Sequence, residues 1–368
     1  IYAAGTTFYR STNGGTSFSA GGITGLPTAT SLSRMAIAVT PDDTNYVYVL
    51  AAKNSTNSYA FQGVYRSVNS GTAFSTMSTT PDLLANACNG TGTGAQGWYD
   101  LAFGANPLDK DEISVGGVNV WRSLNGGSTW TSIGCWIGTG SPPYIHADHH
   151  CLSYNSAGSL YSANDGGIFV YTGSAWTDIT STRNIAQIYK IGLSTLSPNL
   201  FITGHQDNGS NIYNAGTYSA SRAGDGMDCF IDRTDNTKMF SAQPYGAYKK
   251  SVNGGTSWST CTSGLSGSQG WVAPWKQDPV TATKLYAGYS QMFVSTNSAG
   301  SWTQLGTIGG TLSIVEFAIA PSDNQILYVI KGTDIYRTGN GGSSWSLVNG
   351  NIPTTSAAPT FITISPTD

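Results

Sequence analysis

Ser123-Leu-Asn125-Gly-Gly127-Ser-Thr129-Trp130 is one of six copies of a short phrase that decides the fold of this chain. Each copy follows a short β-prone stretch, and each closes with Phe or Trp, which opens another. A strand, an Asn-Gly-rich turn and a second strand form a hairpin. The Asn side chain accepts hydrogen bonds within its own turn, and Gly supplies positive φ. We name the phrase the Asn-box and expect it to be structural. The six copies carry Asn13, Asn69, Asn125, Asn253, Asn297 and Asn340.

The spacing of the Asn-boxes predicts the number of repeats. Neighbouring boxes begin 43 to 56 residues apart, except for a gap of 128 residues between Ser123 and Ser251. That gap is about three repeats long, so two repeats without a box are expected inside it. A short phrase that recurs every 40–60 residues is typical of β-propeller blades. Eight blades divide the 368 residues into 46 residues each, and seven blades are the alternative.

The two ends of the chain are expected to share one blade. Residues 361–368 match the phrase Glu316–Asp323, which is predicted to be an inner strand, and residues 1–5 match the second-strand phrase Leu285–Gly288. A ring closed in this way leaves no fully open edge, which limits edge-to-edge aggregation. The prediction is an all-β, single-domain, eight-bladed propeller of four-stranded antiparallel blades. Blade 1 comprises 361–368 and 1–20, and the others comprise about 31–78, 97–133, 146–180, 186–219, 225–262, 270–306 and 313–349.

Composition narrows the class of partner. Only 10% of the residues are charged and the net charge is −3, which argues against nucleic acid binding. No apolar segment approaches 18 residues, so no membrane insertion is expected. The chain has few Lys and Glu residues and begins in mid-strand. These features favour an extracellular or cell-surface protein, trimmed from a longer precursor.

Cysteine usage agrees with that location. Among five cysteines, Cys88 and Cys135 both fall in Gly-rich connections between neighbouring blades. We predict a disulfide between them, and the odd count leaves at least one cysteine outside any internal pair.

The Asn-box resembles the Asp-box, or BNR repeat, Ser-x-Asp-x-Gly-x-Thr-Trp, with Asn in the Asp position in all six copies. Sialidases, sortilin-type receptors and xyloglucanase-like glycoside hydrolases share that repeat. The resemblance covers nearly the whole chain and implies a propeller whose boxes lie away from the active site. It implies an architecture rather than an activity. Phrases around His146, Asp165, Asp207 and Asp225 are also similar to a group of secreted bacterial repeat proteins, which implies a bacterial source.

Unusual polar phrases concentrate where the boxes are missing. In an up-and-down blade, the connection into the first strand and the loop between strands two and three lie at one edge, which we name the top edge. Four phrases are predicted to lie at the top edges of blades 4 to 6, and together they contain every histidine of the chain. They are His146–His150, Asn164–Gly167, His205–Gly209 and Gly224–Asp228.

These phrases leave three roles open. If 146–150 is extended, His146, Asp148 and His150 project to one side and could bind Zn²⁺ or Ca²⁺. Two carboxylates could instead act as acid and base in hydrolysis. Third, the polar groups could simply hydrogen-bond one another around the loops. The candidate catalytic residues are Asp148, Asp165, Asp207 and Asp225.

Aromatic residues add a possible sugar platform. Similar Gln-Gly-Trp phrases lead into blades 3 and 7 and contain Trp98 and Trp271. A Trp face beside amide and carboxyl groups suits a sugar ring, although both rings could instead pack between blades. The candidate ligand-binding residues are His146, His150, His205, Gln206, Asn208, Trp98, Trp271 and Arg34.

The leading functional prediction is a scaffold or adhesin that binds polysaccharide or a surface protein. The alternative, implied by the resemblance, is a xyloglucanase-like glycoside hydrolase that uses paired Asp residues. That family works in a cleft between two propellers, and one propeller is predicted here. Sialidase activity is disfavoured because the family's Arg-Ile-Pro phrase is absent and four arginines occupy the repeated hairpin position. These are Arg10, Arg66, Arg122 and Arg337.

Overall fold

The computed structural model describes residues 1–92, 95–138, 142–180, 186–350 and 358–365. Within these ranges the strands form eight antiparallel sheets, seven of four strands and one of two. The sheets follow one another along the chain, and in each four-stranded sheet every strand pairs with its neighbour in sequence. The prediction of an all-β, eight-bladed propeller is confirmed, and the seven-bladed alternative is wrong. No helix in the described ranges is long and apolar enough to cross a membrane.

The chain divides into two compact units, Ile1–Asn184 and Ile185–Asp368, with four sheets in each. In unit 1 the two-stranded sheet is β1 (Tyr2–Ala4) and β2 (Phe8–Arg10), and Ser19 forms an isolated bridge to Arg10. The other three sheets are β3 (Leu32–Val39), β4 (Val47–Lys53), β5 (Phe61–Ser67), β6 (Ser75–Ser78); β7 (Ala102–Asn106), β8 (Asp109–Gly116), β9 (Val120–Ser123), β10 (Thr131–Gly134); and β11 (His149–Tyr154), β12 (Leu160–Asn164), β13 (Gly167–Tyr171), β14 (Trp176–Asp178). Short 3₁₀ turns span Ala29–Ser31 and Ser55–Asn57.

Unit 2 contains four four-stranded sheets and a 3₁₀ turn at Pro244–Gly246. The strands are β15 (Ile188–Leu193), β16 (Leu200–His205), β17 (Gly209–Asn214), β18 (Thr217–Arg222); β19 (Cys229–Asp232), β20 (Asp235–Gln243), β21 (Ala247–Ser251), β22 (Ser259–Thr260); β23 (Trp275–Gln277), β24 (Leu285–Gly288), β25 (Met292–Ser295), β26 (Thr303–Gln304); and β27 (Ile314–Ile319), β28 (Leu327–Lys331), β29 (Asp334–Thr338), β30 (Ser346–Leu347).

Ring closure by the C-terminus stays a prediction. Residues 358–365 carry no strand assignment, and 366–368 lie outside the described residues. The single-domain boundaries likewise remain predictions.

The core lies between successive sheets. In unit 1, Leu50 and Val64 of the second sheet pack with Ile113, Val115 and Trp121 of the third. In unit 2, the rings of Tyr248 and Trp275 stack 4.1 Å apart. Aromatic and β-branched residues favour such pleated, half-buried surfaces, and each buried large side chain contributes about 1.5–3 kcal/mol.

The Asn-boxes form closed hydrogen-bonded turns between the third and fourth strands. In the box at Ser123, the hydroxyl donates to Asn125 Oδ1 at 3.0 Å and accepts the N–H of Gly127 at 2.9 Å. Asn125 Oδ1 also accepts the N–H of Thr129, and its Nδ2 donates to the Thr129 hydroxyl at 2.8 Å. The side-chain amide therefore supplies a donor that a carboxylate lacks. The closing Trp130 donates to the Gly127 carbonyl, which fixes the ring over the turn.

A disulfide joins Cys88 to Cys135, the pair predicted from the sequence, across 47 residues of chain. The other three cysteines, Cys151, Cys229 and Cys261, are free thiols.

Candidate functional site

The top edge of unit 1 gathers polar residues from two successive blades. Asp148 precedes β11, Asp165 lies in the turn between β12 and β13, and Tyr99 precedes β7. The Tyr99 hydroxyl donates to Asp165 Oδ2 at 2.9 Å, and His150 Nε2 lies 2.7 Å from Asp165 Oδ1. Gln96 Nε2 donates to Asp148 Oδ1 at 3.0 Å. Two of the predicted carboxyls therefore lie near each other, close enough for the charge of Asp165 to raise the pKa of Asp148. We name these two carboxyls and their partners Gln96, Tyr99 and His150 the carboxyl cluster.

A β-bulge aims His150 at this cluster. The register of β11 against β12 shifts between His149 and Cys151, which leaves His150 as the extra residue. A bulge bends the strand and re-aims the bulged side chain. The same shift occurs one residue into three other first strands, at Leu32/Arg34, Ile188/Lys190 and Ile314/Glu316. The bulge is thus a repeated device at the top edge.

Asp148 itself has a left-handed backbone, with φ of 62°. Burial raises the pKa of its carboxyl above the usual range, and the charge of Asp165 raises it further. Asp148 is half-buried, so its carboxyl is held toward the neutral acid at the surface of the cluster.

Asp100 belongs to the cluster and was missed from the sequence. It is completely buried, and neither carboxyl oxygen has a donor among the described residues. Burial, followed by the charge of Asp148, raises its pKa to about 9. Its polar neighbour is the Asp148 carboxyl, a second acceptor, so a bond between the two requires a shared proton. The adjacent phrase Gln96-Gly97-Trp98 was the signal that could have pointed to it.

The structure does not place the three predicted metal ligands, His146, Asp148 and His150, around a common point. Within the residues that the structure describes, no group of three or more His, Cys, Asp or Glu side chains is placed to hold a metal ion. The period-two argument for His146, Asp148 and His150 fails because the left-handed Asp148 interrupts the extended chain. His146 Nδ1 lies 3.3 Å from the Ala147 carbonyl, and His150 pairs with Asp165 instead.

His149 points into the protein. It is fully buried, with Nδ1 2.6 Å from the Ser162 hydroxyl, and Nε2 has no hydrogen-bond partner among the described atoms. Burial lowers its pKa to about 3. The ring therefore remains neutral and structural.

A row of aromatic rings borders the carboxyl cluster. Centroids lie 6.3 Å apart between Tyr59 and Trp98, 5.5 Å between Trp98 and Tyr99, and 4.7 Å between Tyr99 and His150. Trp98 is 56% exposed, so it does not pack between blades. Arg34, predicted to bind ligand, donates to the backbone carbonyls of Trp98 and Tyr99 and so positions the row.

In unit 2, Asp207 and Asp225 meet through the backbone, because the N–H of Asp207 donates to Asp225 Oδ1 at 2.8 Å. Asn208 Nδ2 donates to the carbonyl of Gln206.

His205 was predicted to bind a ligand, but it is buried. The residue is 4% exposed, and its Nε2 lies 2.8 Å from the Thr203 hydroxyl. Its ring therefore bonds within the sheet, on β16, and is not accessible to a ligand.

A second aromatic group lies at the top edge of unit 2. Trp271, 43% exposed, donates from Nε1 to the Tyr189 hydroxyl at 3.1 Å. Tyr189 is the bulged residue of β15, and its hydroxyl donates to Gln206 Oε1 at 2.8 Å. The ring of Tyr245 meets Trp271 edge-to-face at 5.3 Å.

Charged residues on the first strands of unit 2 were also missed. Glu316 is 3% exposed and accepts Lys190 Nζ at 2.9 Å and Lys276 Nζ at 3.0 Å. Although burial pushes its pKa upward, the two ammonium groups hold it below the usual range. Burial raises the pKa of the neighbouring Asp228 to about 6. The two lysines compensate the negative charge of the buried carboxyls, so we assign these four residues a structural role.

No family model matches the chain, and no curated protein sequence matches it. A GH74 enzyme from Niastella koreensis is 16% identical over 94% of this chain and 67% of its own, with a TM-score of 0.39. The GH74 xyloglucanase from Xanthomonas campestris is 14% identical over 94% and 65%, with a TM-score of 0.36. YCF48 from Cyanidioschyzon merolae is 14% identical over 71% and 87%, with a TM-score of 0.36.

This chain spans about two thirds of the length of the two GH74 proteins. The strand topology of the chain itself, rather than these likenesses, establishes its fold.

Proposed function

We propose that this chain is an extracellular or cell-surface propeller of bacterial origin that binds polysaccharide, and that unit 1 carries the binding site. The observation that carries the proposal is the row Tyr59–Trp98–Tyr99 beside the Asp148 and Asp165 carboxyls. Sugar rings stack on exposed aromatic faces, while their hydroxyls bond to directional polar groups. Trp98 supplies an exposed face, and Gln96, Asp148 and Asp165 supply the polar groups.

Binding is tested with the whole chain and a panel of neutral oligosaccharides: cellotetraose, mannotetraose and a xyloglucan heptasaccharide. Trp98→Ala is expected to weaken binding by about tenfold or more, as for a central aromatic anchor. Trp136→Ala is the matched control, because Trp136 is 44% exposed in the same unit and lies outside the row. Isothermal titration calorimetry measures both. Equal affinities in the two variants would refute the site, and absence of binding to every probe would refute the function.

A second function, glycoside hydrolysis, is supported by the raised pKa of Asp148 beside Asp165. In this proposal the Asp148 carboxyl protonates the leaving oxygen as the glycosidic bond breaks. Asp165 has one of two roles: it is either the base that activates a water molecule or the nucleophile itself. The Tyr99 hydroxyl and His150 orient Asp165.

Reducing-end release from xyloglucan and cellulose derivatives tests this function. Asp148→Asn and Asp165→Asn should each lower turnover at least a hundredfold, in line with general acid–base contributions of about 10²–10⁴. Binding without measurable turnover in the wild-type chain would exclude hydrolysis and leave the binding function standing.

A further inference from the structure

The two aromatic groups occupy equivalent places in the repeat. Trp98 ends a Gln-Gly-Trp phrase that leads into β7, and Trp271 ends the same phrase ahead of β23. Each Trp is contacted by a Tyr from the loop between the second and third strands of the preceding sheet. These are Tyr59, between β4 and β5, and Tyr245, between β20 and β21. The arrangement therefore recurs four blades later.

Both tyrosines have left-handed backbones, with φ of 54° at Tyr59 and 57° at Tyr245. A bulky residue in this region is strained by about 1–3 kcal/mol, and such strain concentrates at binding sites. Glycine would adopt the same turn without strain. Tyr245 is also 58% exposed, so its ring gains little from burial. Folding alone does not account for an exposed ring on a strained backbone at Tyr245. Tyr59 has the same backbone conformation and is half-buried beside Trp98.

Hydrogen bonds hold Trp271 and Tyr245 in place. The N–H of Tyr245 donates to the Trp271 carbonyl at 3.1 Å, and the Trp271 indole N–H donates to Tyr189. Tyr189 in turn donates to Gln206. The indole N–H is thus bonded to the protein, while Trp271 is 43% exposed and Tyr245 58% exposed.

We propose that Trp271, Tyr245, Tyr189 and Gln206 form a second saccharide-binding site, in unit 2, that takes a neutral sugar ring. The inference rests on the proposed function and extends it, since each chain would then bind two short oligosaccharides. The polar groups beside the Trp271 face are an amide and a phenol, which pair with sugar hydroxyls. In unit 1 the polar groups beside Trp98 are different, namely the Gln96 amide and the Asp148 and Asp165 carboxyls, so the two sites are expected to differ in affinity.

Equilibrium dialysis of the whole chain against each oligosaccharide of the panel, titrated over free ligand concentration, gives the number of sites per chain and the Kd of each. The wild-type chain should have two sites. Trp271→Ala and Trp98→Ala should each keep one site at wild-type affinity and weaken the other by about tenfold or more, and the double variant should weaken both. A single site that is weakened in Trp98→Ala and unchanged in Trp271→Ala would overturn the second site and leave the proposed function intact. No binding to any probe would overturn both.

Tyr245→Gly separates a binding role from a structural one. Glycine removes both the ring and the backbone strain, so the melting temperature should stay the same or rise while affinity at the unit 2 site falls about tenfold. Tyr59→Gly is the matched variant in unit 1. A fall in melting temperature with unchanged saccharide affinity would show that the Tyr245 ring is structural and would refute the proposal.

Discussion

Replacing Asp100 by asparagine should stabilise the protein at neutral pH. Asp100 is completely buried, and its pKa is raised from 3.8 to about 9. Above pH 3.8 the folded state keeps a proton that the unfolded chain releases, so this group lowers the free energy of unfolding as the pH rises toward 9. The cost is about 1.4 kcal/mol per pH unit, or about 4 kcal/mol by pH 7. Asparagine avoids it and supplies a permanent N–H donor to Asp148.

Urea unfolding of wild type and Asp100→Asn between pH 4 and pH 8 measures the effect. The difference in unfolding free energy should be near zero at pH 4 and grow steadily to about 4 kcal/mol in favour of the variant at pH 7. The difference reports Asp100 together with its coupling to Asp148, because the remaining titrating groups are common to both proteins. Asp323→Asn is the control: Asp323 is exposed and accepts the N–H of Gln325, a bond that asparagine keeps. A pH-independent difference, or a variant less stable at pH 7, would refute the reasoning.

Three further predictions concern stability and use the same denaturant assay. Replacing Cys88 and Cys135 together by alanine should lower the free energy of unfolding by about 4 kcal/mol, the loop-closure value for a 47-residue separation. Cys151→Ser, at a free thiol, should change it little, and equal effects would contradict this prediction. Asn125→Ala should cost about 1–3 kcal/mol because the Ser123 hydroxyl and Thr129 N–H lose their acceptor, and Asn125→Asp, which keeps that oxygen, should cost less. Glu316→Gln should lower the free energy of unfolding by about 1–3 kcal/mol, because two half-exposed lysines lose their counter-charge. The loss should be smaller in high salt, which screens the lysine charges. A variant with unchanged stability at every salt concentration would show that Glu316 does not stabilise the fold through these ion pairs.

The sequence determined the repeat and therefore the order of the sheets. An Asn-box satisfies its own backbone through bonds that join residues two and four positions apart, as between Ser123 and Asn125 and between Asn125 and Thr129. Its hairpin therefore follows from local chemistry. Regular spacing then predicts the blades that lack a box. The same repeat placed Asp148 and Asp165 at one edge, because alternating strands bring every first connection to the top edge.

Local rules failed where the chain departs from regular strand geometry. The period-two argument placed His146, Asp148 and His150 together, but the left-handed Asp148 and the bulge at His150 break that period. Both departures depend on how loops from neighbouring blades pack, and no residue type within the phrase requires them.

Only the tertiary structure decided which groups are buried and which carry charge. Asp100 has an ordinary sequence setting. Its raised pKa arises from burial and from the charges of Asp148 and Asp165, which lie 48 and 65 positions further along the chain. Lys190 and Glu316 are 126 residues apart and meet because their strands are the first of their sheets. Desolvation and Coulomb energy depend on distance in space, whereas the Asn-box depends on distance along the chain. The sequence therefore determined the blades, and the packing between them decided the chemistry of the site.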